Sequence, residues 1–304
     1  MTATAPLPRP RWDFWVRYAL LAALLGVIVG QWLMLLVGLV VPDGFGHLHS
    51  ILFCALYVPL AVIPATLWLV RRRWRRVPSF RERPRGSDLR WTLLGLGAFV
   101  AWSQSYLAVA WFVEGRALHY FPAALEDALP FVPAATLVYL TVYWFAPLPL
   151  FLLRDPVPWR RVVAAYLLTL GPTLVAFAAF PVAMERPVVD PGIDLFHWAL
   201  SVVHRADPPY NCFPSSHCAM AMLGGLLLFD VDRRLGRLGV LYAGLIGLST
   251  LLTRQHYLVD VLAGFALATA AWWALLSRHR QRNPPGPTTG VDGRFPAGQA
   301  PLDG

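Results

Sequence analysis

At 304 residues, with 57% hydrophobic and only 14% charged residues, the chain carries more apolar surface than one soluble domain of this length can bury. The composition excludes a water-soluble globular protein, and a bilayer must supply much of the solvent. The formal net charge of +9 comes from arginine alone, without a single lysine, in short blocks between apolar runs; that distribution orients membrane helices and does not describe a nucleic-acid-binding surface.

A membrane-spanning helix needs about 20 apolar residues, and eight runs approach or exceed that length: 17–41, 48–70, 91–113, 128–153, 162–183, 215–230, 238–254 and 257–277. The first is long and no small-residue cleavage pattern follows it, so it is expected to persist as a transmembrane helix. The basic stretch Arg71 to Arg90, with Pro78 and Pro84, divides residues 1–90, a helical hairpin plus linker, from a six-helix core at 91–278. Residues 279–304 are rich in Pro and Gly, lack apolar periodicity and are expected to be a disordered tail. Ile193 to His204 has an apolar pattern too short to span and predicts a helix lying at the interface. The expected fold is all-α: a polytopic membrane helix bundle of about eight transmembrane helices.

Arginine content alternates between successive connections. Arg9, Arg11 and Arg17, the run 71–90, Arg154, Arg160 and Arg161, Arg233, Arg234 and Arg237, and Arg278, Arg280 and Arg282 fall on one side. The segments 42–47, 114–127 and 184–214 fall on the other and carry only Arg116, Arg186 and Arg205. Arginine-rich loops stay cytoplasmic, which places both termini there and suits a bacterial plasma membrane. Cys54, Cys212 and Cys218 fit neither a zinc spacing nor a disulfide framework.

Ionisable groups at the mouth of apolar helices are costly and so mark function. Phe213-Pro214-Ser215-Ser216-His217 opens the sixth run. Backbone N–H groups after the proline lack intrahelical partners, and such an end, with two hydroxyls beside it, binds anions. Thr253-Arg254-Gln255-His256-Tyr257-Leu258-Val259-Asp260 forms the turn between the last two runs. Positions 256 and 260 are four apart, so a helix would stack carboxylate and imidazole on one face. Asp260 would then hold one ring nitrogen and free the other as nucleophile or base. Arg254 supplies a planar fork suited to phosphate. The topology brings both clusters, and Arg186, to the non-cytoplasmic boundary. Two imidazoles, a carboxylate, fixed cations and a helix N-terminus are what in-line displacement at phosphorus requires.

Pro-Ser-Ser-His at 214–217 and Arg-Gln-His-Tyr-Leu-Val-Asp at 254–260 resemble the second and third signature motifs of the type 2 phosphatidic acid phosphatase (PAP2) superfamily, which also includes vanadium haloperoxidases. The string Ser249 to Tyr257 is similar to the inositolphosphotransferase (inositol phosphorylceramide synthase)-like branch, and the resemblance covers about residues 91–277. It implies a six-helix PAP2-like core in which His256 forms a phosphohistidine, Asp260 orients it and His217 protonates the leaving group. Ser215, Ser216, Arg254 and Arg186 would hold phosphate. Two departures remove cations: Ala179 stands where the common phosphatases carry a lysine seven residues before Arg186-Pro187, and Thr250 follows Ser249 where an arginine is usual. Both favour the transferase-like branch.

The expected activity is metal-independent phosphoryl transfer from a lipid phosphate or phospholipid headgroup, resolved by water or by an alcohol, with no cofactor and no nucleic-acid partner; protein partners are unknown. A non-catalytic lipid-phosphate binder or transporter is the alternative, and the His256–Asp260 spacing argues against it. A vanadate-dependent oxidase follows from the resemblance alone, and those proteins are typically soluble. His47, His49, His119, His197 and His204 are expected to be non-catalytic, with His197 and His204 as candidates for lining the entrance. Trp32, Trp102, Trp111, Trp272 and Trp273 read as interfacial or packing aromatics. Glu126 and Asp127 read as the end of an outer loop, and no metal-ligand spacing is visible.

Overall fold

The computed structural model describes residues 12–40, 52–76, 89–153 and 159–277, and their regular elements are helical apart from an isolated bridge between His119 and Val182. Arg9, Arg11, Arg154, His47, His49, the 42–47 loop, most of the 71–90 linker and the 279–304 tail lie outside the described residues.

Each expected apolar run contains helix. In chain order these are α1 (Trp12–Val40), α2 (Val58–Arg76, entered through a π-helical turn at Phe53–Tyr57) and α3 (Leu89–Val113). A short α4 (Ala124–Asp127) precedes a broken segment, α5 (Thr136–Leu140), α6 (Val142–Phe145) and α7 (Leu148–Leu152). Then come α8 (Trp159–Ala179), α9 (Leu195–Ala206), α10 (Ser216–Leu227), α11 (Arg233–Leu252) and α12 (Leu258–Trp272).

Six helical stretches among the described residues are long and apolar enough to cross a membrane, while Pro133–Phe145 and Ser216–Asp230 are shorter. The expected continuous helix over 128–153 is interrupted where Pro133, Pro147 and Pro149 remove backbone donors and clash with the preceding turn. The stretch beginning at Ser216 rises only about 22 Å, less than the roughly 30 Å of hydrocarbon. Its helix, α10, is buried on nearly every face by α8, α11 and α12, and so is apolar all round.

The N-terminal hairpin closes through small residues. Side chains at Gly26 and Gly30 would meet the backbone of Pro59 and Cys54 at 2.5 and 2.8 Å, so only hydrogen fits on that face of α1. Polar contacts tie α1 to the rest of the bundle: Trp32 Nε1 donates to Tyr242 Oη at 3.0 Å, and Tyr242 Oη donates to Thr141 Oγ1 at 2.8 Å. Arg17 donates to the carbonyls of Leu150 and Leu153, satisfying the C-terminal end of α7.

At one end of the bundle the loops before α4, after α8, after α9 and after α11 knit together. His119 N–H donates to Pro181 O, Ala183 N–H to His119 O and Cys212 N–H to Val182 O. Tyr257 Oη donates to Ala183 O at 3.1 Å. Of the three loops expected to share a side, 114–127 and 184–214 meet, and 42–47 lies outside the described residues. The short apolar stretch 193–204 folds as α9, capped by Asp194 and packed through Leu195, Phe196 and Ala199 against the start of the broken segment.

Candidate active site

Ser215 caps α10. Its Oγ accepts the Cys218 N–H at 3.2 Å, while its own N–H donates to the Asp260 carbonyl at 3.0 Å. Only the N–H groups of Ser216 and His217 therefore remain as open first-turn donors, one fewer than the motif alone suggests. The Ser216 hydroxyl is buried with no partner.

The second cluster lies in the turn that reverses α11 into α12, where Arg254 adopts a left-handed φ of 55°. His256 sits before the helix, and Tyr257 is the cap residue. Asp260 Oδ2 accepts the Tyr257 N–H at 2.8 Å and lies 3.4 Å from His256 Nδ1. The expected pair forms, but through helix-capping geometry and not along a helix face. His217 and His256 face each other with ring centroids 5.8 Å apart, and both are almost fully buried.

Arg186 donates to the Asp207 carbonyl and has Nη2 3.6 Å from Asp207 Oδ2, leaving its buried Nε unpartnered. Arg254 donates to the carbonyls of Glu126 and Leu129, so part of its fork is spent holding the outer loop. Among the described residues no ion pair joins Arg254 to Asp260. Both arginines line a cavity of about 610 Å³ together with Tyr120, Phe121, Asp127, Phe131, Glu185 and Tyr257. Neither His217 nor His256 is among its lining residues, although Arg254 and Tyr257, next in the chain to the His256 turn, are.

Several contributors escaped the sequence. Glu126 is not only a loop end: its Oε1 accepts the Leu258 N–H at the start of α12, at 2.6 Å. His217 Nε2 lies 3.1 Å from Tyr139 Oη and 3.0 Å from Tyr143 Oη, so serines are not its only polar neighbours. Tyr139 Oη also reaches Asp207 Oδ2 at 3.4 Å, and Tyr106 Oη donates to Asp207 Oδ1. The available signals were two tyrosines four residues apart in an apolar run and a carboxylate on the same side as Arg186.

Three other histidines fall among the described residues. His119 stacks on Phe180 with centroids 3.9 Å apart, and His197 Nδ1 lies 2.7 Å from Asp194 Oδ1. Burial, with Arg186 nearby, pushes His204 down to about 4, which keeps it neutral beside that guanidinium. The Cys212 thiol is buried and donates to Pro209 O at 3.2 Å; burial and the Asp260 carboxylate push it well above the usual thiol range. Cys212, His256 and Asp260 each bring one donor atom within 4.8 Å of the others, a grouping that sequence spacing hides because Cys212 belongs to a different loop. An ion held there would occupy the imidazole that displacement at phosphorus needs.

A family model described as PAP2 superfamily matches residues 118–274, just over half of the chain. The chain belongs to the PAP2 superfamily. The match takes in both motif clusters and Arg186 but begins after α3, so it is shorter than the expected 91–277. Searches of curated proteins and of solved structures returned no significant match. PAP2 membership and the apolar helices together support a membrane phosphatase-type function.

Close backbone approach sets the site. A Cβ on Gly264 would lie 2.4 Å from the Ser215 carbonyl oxygen, and neither backbone has a flexible end to yield. In Gly264→Ala the start of α10 must shift away from α12. Misplacement of about 1 Å costs roughly 100-fold in rate, so turnover per folded molecule should fall by about 10- to 100-fold. Size-exclusion chromatography would establish the folded fraction, and undiminished turnover in folded Gly264→Ala would contradict the assignment.

Proposed function

We propose that this PAP2 protein is an integral-membrane lipid phosphatase or phosphotransferase of the inositolphosphotransferase-like kind, acting on a lipid phosphate or phospholipid headgroup. The observation that carries this reading is Asp260 Oδ2, which is fixed by the Tyr257 N–H and set against His256 Nδ1. A carboxylate on Nδ1 leaves Nε2 as the reactive nitrogen. The Nε2 lone pair forms the N–P bond as the ester P–O bond breaks, and His217 gives a proton to the departing oxygen. Water or an acceptor alcohol then attacks phosphorus, the P–N bond breaks, and His217 takes the nucleophile's proton. Arg186, Arg254, Ser215, Ser216 and the open N–H groups of α10 hold the non-bridging oxygens. The aromatic and charged walls of the cavity above suit a phosphorylated headgroup with an apolar flank.

The division of roles assigns 91–278 as the catalytic core, with 1–90 and 279–304 as additions. The arginine pattern assigns both termini to the cytoplasm and the site to the opposite face.

Incubating purified protein with radiolabelled lipid phosphates and phosphoinositides, with and without ceramide or inositol, should show phosphorus leaving the donor. Turnover should survive chelator and fall with vanadate. His256→Ala should abolish it, and His217→Ala should cripple lipid esters while sparing the first step with a nitrophenyl phosphate. General-acid catalysis contributes about 100- to 10,000-fold, a gap wide enough to measure. Saturable headgroup binding without turnover would overturn the enzymatic reading in favour of a binder or transporter.

Orientation is tested at Val188, which is fully exposed in the loop after α8. In a variant whose three native cysteines are replaced, Val188→Cys should react with a membrane-impermeant maleimide on intact cells. Labelling only after lysis would reverse the topology.

A further inference from the structure

His217 is the proposed acid, yet it has no carboxylate of its own. Its Nε2 is nevertheless anchored by Tyr139 Oη at 3.1 Å and Tyr143 Oη at 3.0 Å, while its buried Nδ1 makes no hydrogen bond. An ionised carboxylate only accepts hydrogen bonds, so where Tyr139 Oη meets Asp207 Oδ2 at 3.4 Å the tyrosine proton points to Asp207. The tyrosine oxygen is then left to accept from His217. One N–H can be shared between two hydroxyl oxygens, whereas one nitrogen lone pair cannot take two good donors. Both considerations place the proton on Nε2. Asp207 is itself held from three sides, by Tyr106 at Oδ1, by Tyr139 at Oδ2 and by Arg186 at its carbonyl. Its fixed position also keeps the Arg186 guanidinium at the cavity.

We propose that Asp207 is a positioning residue that acts through Tyr139 to hold His217 with its Nε2–H anchored and its Nδ1 directed to the chemistry. This rests on the reading of His217 as the acid. In the imidazolium both nitrogens carry protons. Nε2–H stays on the tyrosine oxygens, and Nδ1–H passes to the ester oxygen as the P–O bond breaks. The neutral Nε2–H tautomer that remains has its lone pair on Nδ1, ready to take the proton of the incoming water or alcohol. The two histidines thus use opposite nitrogens: His256 has Nδ1 set 3.4 Å from the Asp260 carboxylate and works through Nε2, and His217 has Nε2 anchored and works through Nδ1. Asp260 acts directly, and Asp207 acts through a phenol.

Tyr139→Phe removes one oxygen from a fully buried ring of unchanged shape and is the primary test, with Asp207→Asn second. Tyr143→Phe is the comparator, because Tyr143 makes no hydrogen bond to Asp207. Tyr139→Phe should lower kcat for a lipid phosphate by about tenfold or more, a fraction of the full general-acid effect. KM should stay within about twofold, and the burst with nitrophenyl phosphate, whose leaving group needs no proton, should be unchanged. The limb of the pH–rate profile set by the protonated acid should move to lower pH, because the imidazolium loses its anchor. Asp207→Asn should move kcat and that limb in the same direction, and Tyr143→Phe should do so less. If the unsubstituted protein turns over no phosphate ester, the reading of the site fails and this inference with it. If it turns over both substrates and Tyr139→Phe slows the nitrophenyl phosphate burst as much as the lipid phosphate reaction, or shifts no limb, the link to Asp207 alone is wrong.

Discussion

The hydrogen bond from Ser215 N–H to the carbonyl of Asp260, 3.0 Å long, joins two helix starts that are far apart in the chain. Gly264 permits the approach, since any side chain there would strike the Ser215 carbonyl. Asp260 then serves three neighbours. Its carbonyl holds α10, and its carboxylate caps α12 at the Tyr257 N–H and faces His256. One residue therefore couples the depth of the first cluster to the orientation of the second. The 5.8 Å spacing between the two imidazoles follows from that coupling.

Polar groups in an apolar bundle are tolerated when they are paired, and an unpaired buried group costs about 1–3 kcal/mol. Around α10 both conditions occur side by side. Asp207 is contacted by two tyrosines and Arg186, while Ser216 Oγ, His217 Nδ1, His256 Nδ1, Asp260 Oδ1 and Arg186 Nε are buried and make no hydrogen bond, His256 Nδ1 lying 3.4 Å from Asp260 Oδ2. A purely structural ion-pair network would satisfy its members. Two unsatisfied donors beside two open N–H groups match an anion with several acceptor oxygens, which is the chemical character of a phosphate ester.

The helical layout was legible because the bilayer imposes its length on each apolar run; the described arginines of the basic blocks lie in helix end turns, with Arg75 and Arg76 closing α2, Arg160 and Arg161 opening α8 and Arg233 and Arg234 opening α11. The break over 133–152 was legible only in its prolines, since hydropathy is blind to a lost backbone donor. His217, His256 and Asp260 could be picked out because two short motifs carry them. The way His256 meets Asp260 could not, because spacing cannot distinguish a helix face from a cap. Tyr139 reaches Asp207 and His217 across 68 and 78 residues, and no local pattern encodes contacts of that range. Glu126 looked like a loop end for the same reason: its partner, Leu258 N–H, lies 132 residues away.

The central claim is that His256 carries the phosphoryl group, with Asp260 holding its other nitrogen. The most direct measurement is to mix the protein with a labelled phosphate ester, quench in base, digest and locate the label by mass spectrometry. The account predicts an acid-labile phosphoryl group on the peptide containing His256, absent from Asp260→Ala or strongly reduced there. Label on His217, or on a serine in an acid-stable linkage, would contradict it.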